Sequence, residues 1–400
     1  MSLKVGIFGT FDVENWGDLL FPLAASEALG KRLPGCKVIP WSYRQKEAGS
    51  WAYEVRSLAD LADGVAELDA ILIGGGHLIR FDKDVAKDYL PPDPGLHHPT
   101  SYWLLPALLG AELGIPVIWN GPSSSRGLPE WARPMLATAL EHSSMACFRD
   151  ATSISELRRF HSLPQARVIP DTAMGLEVFR TASPERTAAA APLHERYGIR
   201  PPFVLVHASG RNNEFAAPIA AARRALQGYQ FVEIEIGPDI GDRVGGFDHP
   251  GLADLHPVSP WPSPADLALL VATSSGVITT SLHLSLTAIA SGRPVMRPVE
   301  KPGSKYVPLQ EHEPIVWMRR KKEDAGELFA ERVQSPIPST ALPDCLARLD
   351  THWDEVAETI SRGKTSPRPL GGTNFLAQLP FFLEQAACEP ADGSSRPPAP

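Results

Sequence analysis

Four hundred residues exceed the usual size of a single hydrophobic core, so two domains are the default. With 43% hydrophobic and 21% charged residues the composition is that of an ordinary soluble globular chain, and a net charge of −8 argues against bulk attraction to nucleic acid. No apolar run reaches about 18 residues, so no spanning helix is expected. The first residues run straight into a strand without the layout of a signal peptide, and a cytoplasmic protein is the expectation.

Apolar runs alternate with helical patterns along the chain. In the first half, residues 3–9, 37–41, 70–74, 116–120, 145–149 and 167–169 read as strands, and 18–32, 101–113, 130–141 and 151–161 as helices. Residues 80–99, rich in Asp, Pro and His, break the pattern and read as a mobile loop near a crevice. Residues 181–202 are rich in Ala and Pro with little strand pattern, and read as an interdomain connection.

The alternation then restarts. Strands are expected at 203–207, 231–236, 276–280 and 294–297, and helices at 216–226, 264–272, 282–291, 324–333, 341–362 and 373–387. The pattern predicts an α/β fold of two Rossmann-like, doubly wound parallel-sheet domains facing a cleft. The expected division is an N-terminal domain over 1–180, the connection, a C-terminal domain over 203–365, a closing helix within 366–387 and a disordered tail over 388–400.

Several short motifs fall where such sheets bind ligands, just beyond the carboxyl ends of strands. Asn15-Trp16-Gly17-Asp18 follows the first strand. Asp18 reads as the N-cap of the next helix, which leaves Asn15 for a ligand hydroxyl. Gly74-Gly75-Gly76 follows another strand and is either a tight turn or a close approach to an anion or sugar. Arg149-Asp150 ends a strand and opens a helix. Asp150 reads as a cap, and Arg149 as either an anion clamp or half of a structural ion pair. Asp171, just after Val168-Ile169-Pro170, is a turn former or a hydroxyl acceptor. His207-Ala208-Ser209-Gly210-Arg211 ends the first strand of the second half and puts Arg211 on a turn before a helix, an anion-binding address. Ser281-Leu282-His283 sits at the mouth of a later strand and opens a helix, which marks His283 as a candidate functional imidazole.

Absent motifs narrow the options. No Gly-x-Gly-x-x-Gly and no Gly-Lys-Ser/Thr occurs at these turns, which disfavours dinucleotide and Walker-type sites. There is no Gly-x-Ser-x-Gly elbow. The four cysteines are scattered and read as reduced thiols, and no metal constellation stands out.

Together these motifs resemble the polysaccharide pyruvyl transferase family. The resemblance covers about residues 4–320 and lies in Asn15-x-Gly17-Asp18, Ile73-Gly74-Gly75-Gly76, Phe148-Arg149-Asp150-x-x-Ser153, Val168-Ile169-Pro170-Asp171, and Ser281-Leu282-His283 with residues 288–294. Lys305 follows at the distance of the family's late lysine. It implies a GT-B-like fold and transfer of the pyruvyl group of phosphoenolpyruvate to two sugar hydroxyls, forming a cyclic ketal.

The implied roles follow the motifs. His283 would be a general acid or phosphate contact. Arg211, Arg149, Lys305 and Ser281 would lie on the donor side, and Asn15, Asp18, Gly74, Gly75, Gly76 and His77 on the acceptor side. Phosphoenolpyruvate would be a co-substrate, with no resident cofactor and no metal. The partners would be this donor and a saccharide-type acceptor, with oligomeric state left open, a homo-oligomer included.

One departure matters. Ser281 stands where family members commonly carry arginine, so Arg211, Arg149, Lys305 or Arg297 substitutes, or the donor has changed. The alternatives are a GT-B-like transferase using a nucleotide sugar and a non-catalytic binding member. His77 and the Ser-rich stretch 120–127 hint at a different acceptor.

Overall fold

Short Val- and Ile-rich strands, buried on both faces, alternate with helices in the computed structural model, which describes residues 2–82, 98–180, 184–298, 304–318 and 323–368. In the first half the strands are β1 (Lys4–Phe8), β2 (Lys37–Ser42), β3 (Arg56–Ser57), β4 (Ala70–Ile73), β5 (Gly76–Ile79), β6 (Val117–Asn120), β7 (Pro122–Ser124), β8 (Met145–Phe148) and β9 (Arg167–Val168). The second half contributes β10 (Phe203–His207), β11 (Gln230–Ile234), β12 (His256–Pro257), β13 (Gly276–Ile278), β14 (Val295–Pro298) and β15 (Ile315–Met318).

A seven-stranded sheet runs β3-β2-β1-β4-β6-β8-β9 and a six-stranded sheet β12-β11-β10-β13-β14-β15; β5 and β7 form a separate pair. The pairings within these sheets are parallel, with Ile7 opposite Leu72 and Leu205 opposite Val277. Each large sheet winds outward from its first strand, then returns to the other side of it. The order therefore reverses between β1 and β4, and again between β10 and β13. The crevices beyond these strand ends are the ligand positions of the fold.

One hydrophobic cluster spans both halves, from Val5, Trp16 and Leu20 through Leu205, Val277 and Leu284 to Trp353 and Val356. The helix Leu342–Ser361 buries Leu349, Trp353, Val356 and Ile360 at helical spacing. That stripe lies over the first half. His352 Nε2 lies 2.8 Å from Asn120 Oδ1, Arg180 grips Asp350 at 3.0 and 2.8 Å, and Arg167 pairs with Glu355. The chain thus returns to the N-terminal sheet after completing the second one.

One sequence expectation is corrected, and a helix and five strands were not anticipated. The first long helix is Trp16–Arg32, so Asn15 and not Asp18 stands at the cap position, and it makes no side-chain cap bond. Within the connecting segment lies the helix Pro184–Tyr197. Its Ala run favours helix, and its proline at the first position has no N–H to leave unsatisfied. β3, β5, β7, β12 and β15 were not anticipated; most are too short for a clear period. The loop around 83–97, the closing helix at 373–387 and the tail lie outside the described residues. Among the described residues, no helix is long and apolar enough to cross a membrane.

Candidate active site at the domain junction

β13 ends in Thr279 and Thr280, and Ser281 then caps the helix Leu282–Ala290, its hydroxyl accepting from the Leu284 amide at 3.3 Å. A serine cap satisfies a donor that the helix start would otherwise orphan. His283 follows in the first turn, so its ring projects from the carboxyl edge of the second sheet toward the first half.

There it meets the start of the helix Trp16–Arg32. A Cβ on Gly17 would come within 2.0 Å of His283 Nδ1, so only glycine lets the two helices approach this closely. The Phe21 ring stands edge-on to the imidazole at a centroid distance of 5.4 Å. The same helix start is tied to the second half by Trp16 N–H to Ile236 O at 2.7 Å and Trp16 Nε1–H to Pro264 O at 3.0 Å.

The Nε2 edge of the ring meets charge. His283 Nε2 lies 3.3 Å from Asp171 Oδ2 and 3.3 Å from Arg149 Nη1, and Arg149 Nη1 is 3.9 Å from the same Asp171 oxygen. Asp171 and Arg149 have side chains only 1% and 3% exposed, and His283 12%. Burial alone would raise the Asp171 carboxyl. Positive charge on His283 and Arg149, with an amide bond from Ala173, holds it below its ordinary value instead. Asp171 is therefore a carboxylate set against an imidazole, in a place that solvent barely reaches.

A chain of polar contacts leads outward. Arg149 Nη2 donates to Ser123 Oγ at 2.7 Å, and Ser123 Oγ lies 3.0 Å from His77 Nδ1. His77 Nε2 lies 3.1 Å from Ser125 Oγ. The pairing of β5 with β7 brings the histidine and the serines together.

Beside this lies a second polar group. Asp18 Oδ2 accepts from Thr10 Oγ1 at 2.7 Å and Asn15 Nδ2 at 2.9 Å, and a Cβ on Gly76 would sit 3.0 Å from Asp18 Oδ1. Asn15, expected to be available to a ligand, is committed to Asp18. The glycine triplet is buried: Gly75 leaves room for Phe21, and Gly76 has φ +88°. Asp150 caps its helix as expected, accepting from Ser153 N–H at 2.7 Å.

Behind Ser281, Arg297 is fully buried. It donates to Ser285 Oγ at 3.0 Å, to Thr280 O at 3.2 Å and to Ser281 O at 3.4 Å, and lies over the Tyr306 ring at 4.5 Å. A guanidinium thus backs the position where the family resemblance has arginine. The backbone places Arg211 in the turn Gly210–Phe215 after β10 and Lys305 in Ser304–Leu309; both side chains lie outside the described residues. Two surface grooves of about 680 and 640 Å³ lie instead at the amino ends of β8–β9 and of β10–β12, on the opposite edges of the sheets from His283.

The structure therefore brings His283, Arg149 and Gly17 together and sets His77, Asn15, Asp18 and Gly76 nearby. Three participants were not singled out as site residues from the sequence. Asp171 carried a signal, its place just beyond a strand. Ser123 lay within a Ser-rich stretch. Phe21 looked like any core residue of an amphipathic helix.

Two Rossmann-like halves meeting at their carboxyl edges define a GT-B-like two-domain fold. Its relatives by structure include the UDP-GlcNAc 2-epimerase of Methanocaldococcus jannaschii, with TM-score 0.56 and 11% identity over 91% of this chain and 100% of that one. The UDP-GlcNAc 2-epimerase of Neisseria meningitidis bound to UDP-GlcNAc gives 0.54 and 13% over 90% and 100%. Anabaena Alr3699/HepE in complex with UDP and glucose gives 0.52 and 12% over 90% and 100%. At these identities the likeness is one of fold. Among curated protein sequences none matches. The chain belongs to the polysaccharide pyruvyl transferase family, whose model matches residues 15–297, and is thus a transferase.

Proposed function

We propose that this transferase moves the pyruvyl group of phosphoenolpyruvate onto two hydroxyls of a saccharide or glycosylated intermediate, with His283 as the acid. The observation that carries this reading is the contact of His283 Nε2 with both Asp171 and Arg149 at the junction of the halves.

A proton on Nε2 is stabilised by the Asp171 carboxylate. The bare nitrogen is stabilised by an Arg149 N–H. An imidazole so placed can give up a proton and find a partner in either state. In the reaction His283 protonates the methylene carbon of the donor, leaving an oxocarbenium-like carbon. One sugar hydroxyl adds there, the C–O bond to phosphate breaks, and the second hydroxyl closes the ketal. One hydroxyl proton restores the imidazolium and the other leaves on phosphate, so the protons balance.

Cationic side chains supply the charge that a phosphate and a carboxylate require. Arg149 contributes directly, Arg297 through the field behind Ser281, and Arg211 and Lys305 from the flanking turns. The exposed His77, with Asp18 and its partner Asn15, would form the acceptor side, and the buried turn at Gly74–Gly76 would back them.

Isothermal titration with phosphoenolpyruvate tests the donor. Binding at millimolar concentration supports the reading. Silence toward phosphoenolpyruvate together with binding of a UDP-hexose would transfer the site to the nucleotide-sugar alternative that Ser281 raises.

A further inference from the structure

Outside the groups assigned above, the second half holds another buried polar pair, at its own switch point. His207 ends β10, and its Nε2 lies 2.7 Å from Asp242 Oδ2; both residues are buried. On one side, His207 Nδ1 lies 3.1 Å from Thr279 Oγ1, and Thr279 Oγ1 accepts the Ser281 amide at 2.9 Å. That amide belongs to the residue that caps the His283 helix. On the other side, Asp242 Oδ2 also accepts the amides of Ile236 and Gly237 at 3.1 and 2.9 Å. The Ile236 carbonyl in turn accepts Trp16 N–H, the residue before Gly17.

We propose that His207 and Asp242 are positioning residues that set the His283 imidazole against Asp171 and Arg149, by fixing both backbone segments between which the ring is held. One arm of the pair fixes the turn that presents the ring. The other fixes the loop that docks the helix on which the ring rests. Neither residue reaches His283 itself, so the effect passes through Thr279 and Ser281 on one arm and Ile236 and Trp16 on the other. The inference rests on the reading of His283 as the working imidazole. It assigns a job to a histidine that the proposed reaction does not use, and to Asp242, which no sequence motif marked.

The pair is held by the Thr279 hydroxyl on one side and by two backbone amides on the other. Removing one partner of a buried network leaves the other unpaired, which alone lowers stability. Stability loss therefore cannot distinguish positioning from mere structure, and the test reads the His283 ring directly.

Full-length protein labelled with carbon-13 in histidine is compared as wild type, Thr279→Val, Thr279→Ser and His207→Gln, with the His283 ring signal assigned from its loss in His283→Gln. Thr279→Val keeps the shape and removes the bridging hydroxyl; Thr279→Ser restores it. His207→Gln keeps a polar group toward Asp242 and withdraws the one toward Thr279. The expected result is a shifted or broadened His283 signal in Thr279→Val and His207→Gln, and a wild-type signal in Thr279→Ser.

With phosphoenolpyruvate as donor, turnover per folded molecule should fall about 10- to 100-fold in the first two, with donor KM little changed, the scale of an ångström-level misplacement. Unchanged His283 signals in variants that have merely lost thermal stability would overturn the proposal. If Thr279→Val does not fold, the His207→Gln and Thr279→Ser pair carries the same comparison. If the wild type itself turns over no phosphoenolpyruvate, the ring signals still decide the positioning claim, and the failure belongs to the donor assignment.

Discussion

His283 Nε2 faces two groups with opposite preferences, a carboxylate that favours a proton there and a guanidinium that favours none. Replacing the ring with an amide of similar size removes that choice. His283→Gln should therefore fold, with a lowered melting temperature because the buried Asp171 carboxylate loses a charged neighbour, still bind donor, and lose turnover per folded molecule by about 10²–10⁴-fold, the usual weight of a positioned acid. Melting and turnover measured on one preparation check this; near-normal turnover in folded mutant would remove His283 from the reaction. Gly17→Ala tests the packing that holds the ring. Its new Cβ would overlap His283 Nδ1, so the ring or the helix must move. The expected cost is about 1–3 kcal/mol in denaturant unfolding, the range for overpacking a close-packed site. The glycine of Asn15-x-Gly17-Asp18 was legible in the sequence, but its reason was not, because the imidazole it accommodates lies 266 positions later (283 − 17), on a helix of the other half.

The helix Leu342–Ser361 binds the second half back onto the first, and its buried His352 gives the contact a pH dependence. Burial, helped by the nearby Arg167 charge, pushes the imidazole down to about 4 from an ordinary 6.5. The unfolded chain therefore takes up a proton between these values that the folded chain refuses. Stability should fall as pH drops from about 6.5 toward 4, by roughly 3 kcal/mol at the low end, and this contribution levels off below that. In His352→Gln, whose amide can still reach Asn120, unfolding measured across this window should show a shallower slope. The exposed bridges along the same helix should matter less. Asp350→Ala is expected to cost no more than about 1 kcal/mol, whereas Trp353→Ala, which opens a cavity in the shared core, should cost about 3–5 kcal/mol. The helix itself was readable from its apolar stripe. The surface it covers was not, since periodicity reports a buried face and not the partner of that face. Asp18 shows a similar limit: its type suits a cap, yet the turn with Thr10 and Asn15 claims its carboxylate, and the helix starts two residues earlier.

At the scale of the molecule, the alternation of strands and helices was enough to predict two parallel sheets, because crossover connections leave few other arrangements for such a pattern. It could not show that the two carboxyl edges interlock through His283, Arg149, Asp171 and the start of the helix Trp16–Arg32. That fact arises only when both halves are folded and docked. One measurement tests whether this junction transfers a pyruvyl group: turnover of phosphoenolpyruvate with hexose glycosides in D₂O, followed by phosphorus and proton NMR. Inorganic phosphate should be released together with a ketal whose methyl group carries deuterium delivered from the enzyme's acid, and both signals should be lost in His283→Gln. Release of nucleotide from a UDP-hexose under conditions where phosphoenolpyruvate stays intact would contradict pyruvyl transfer.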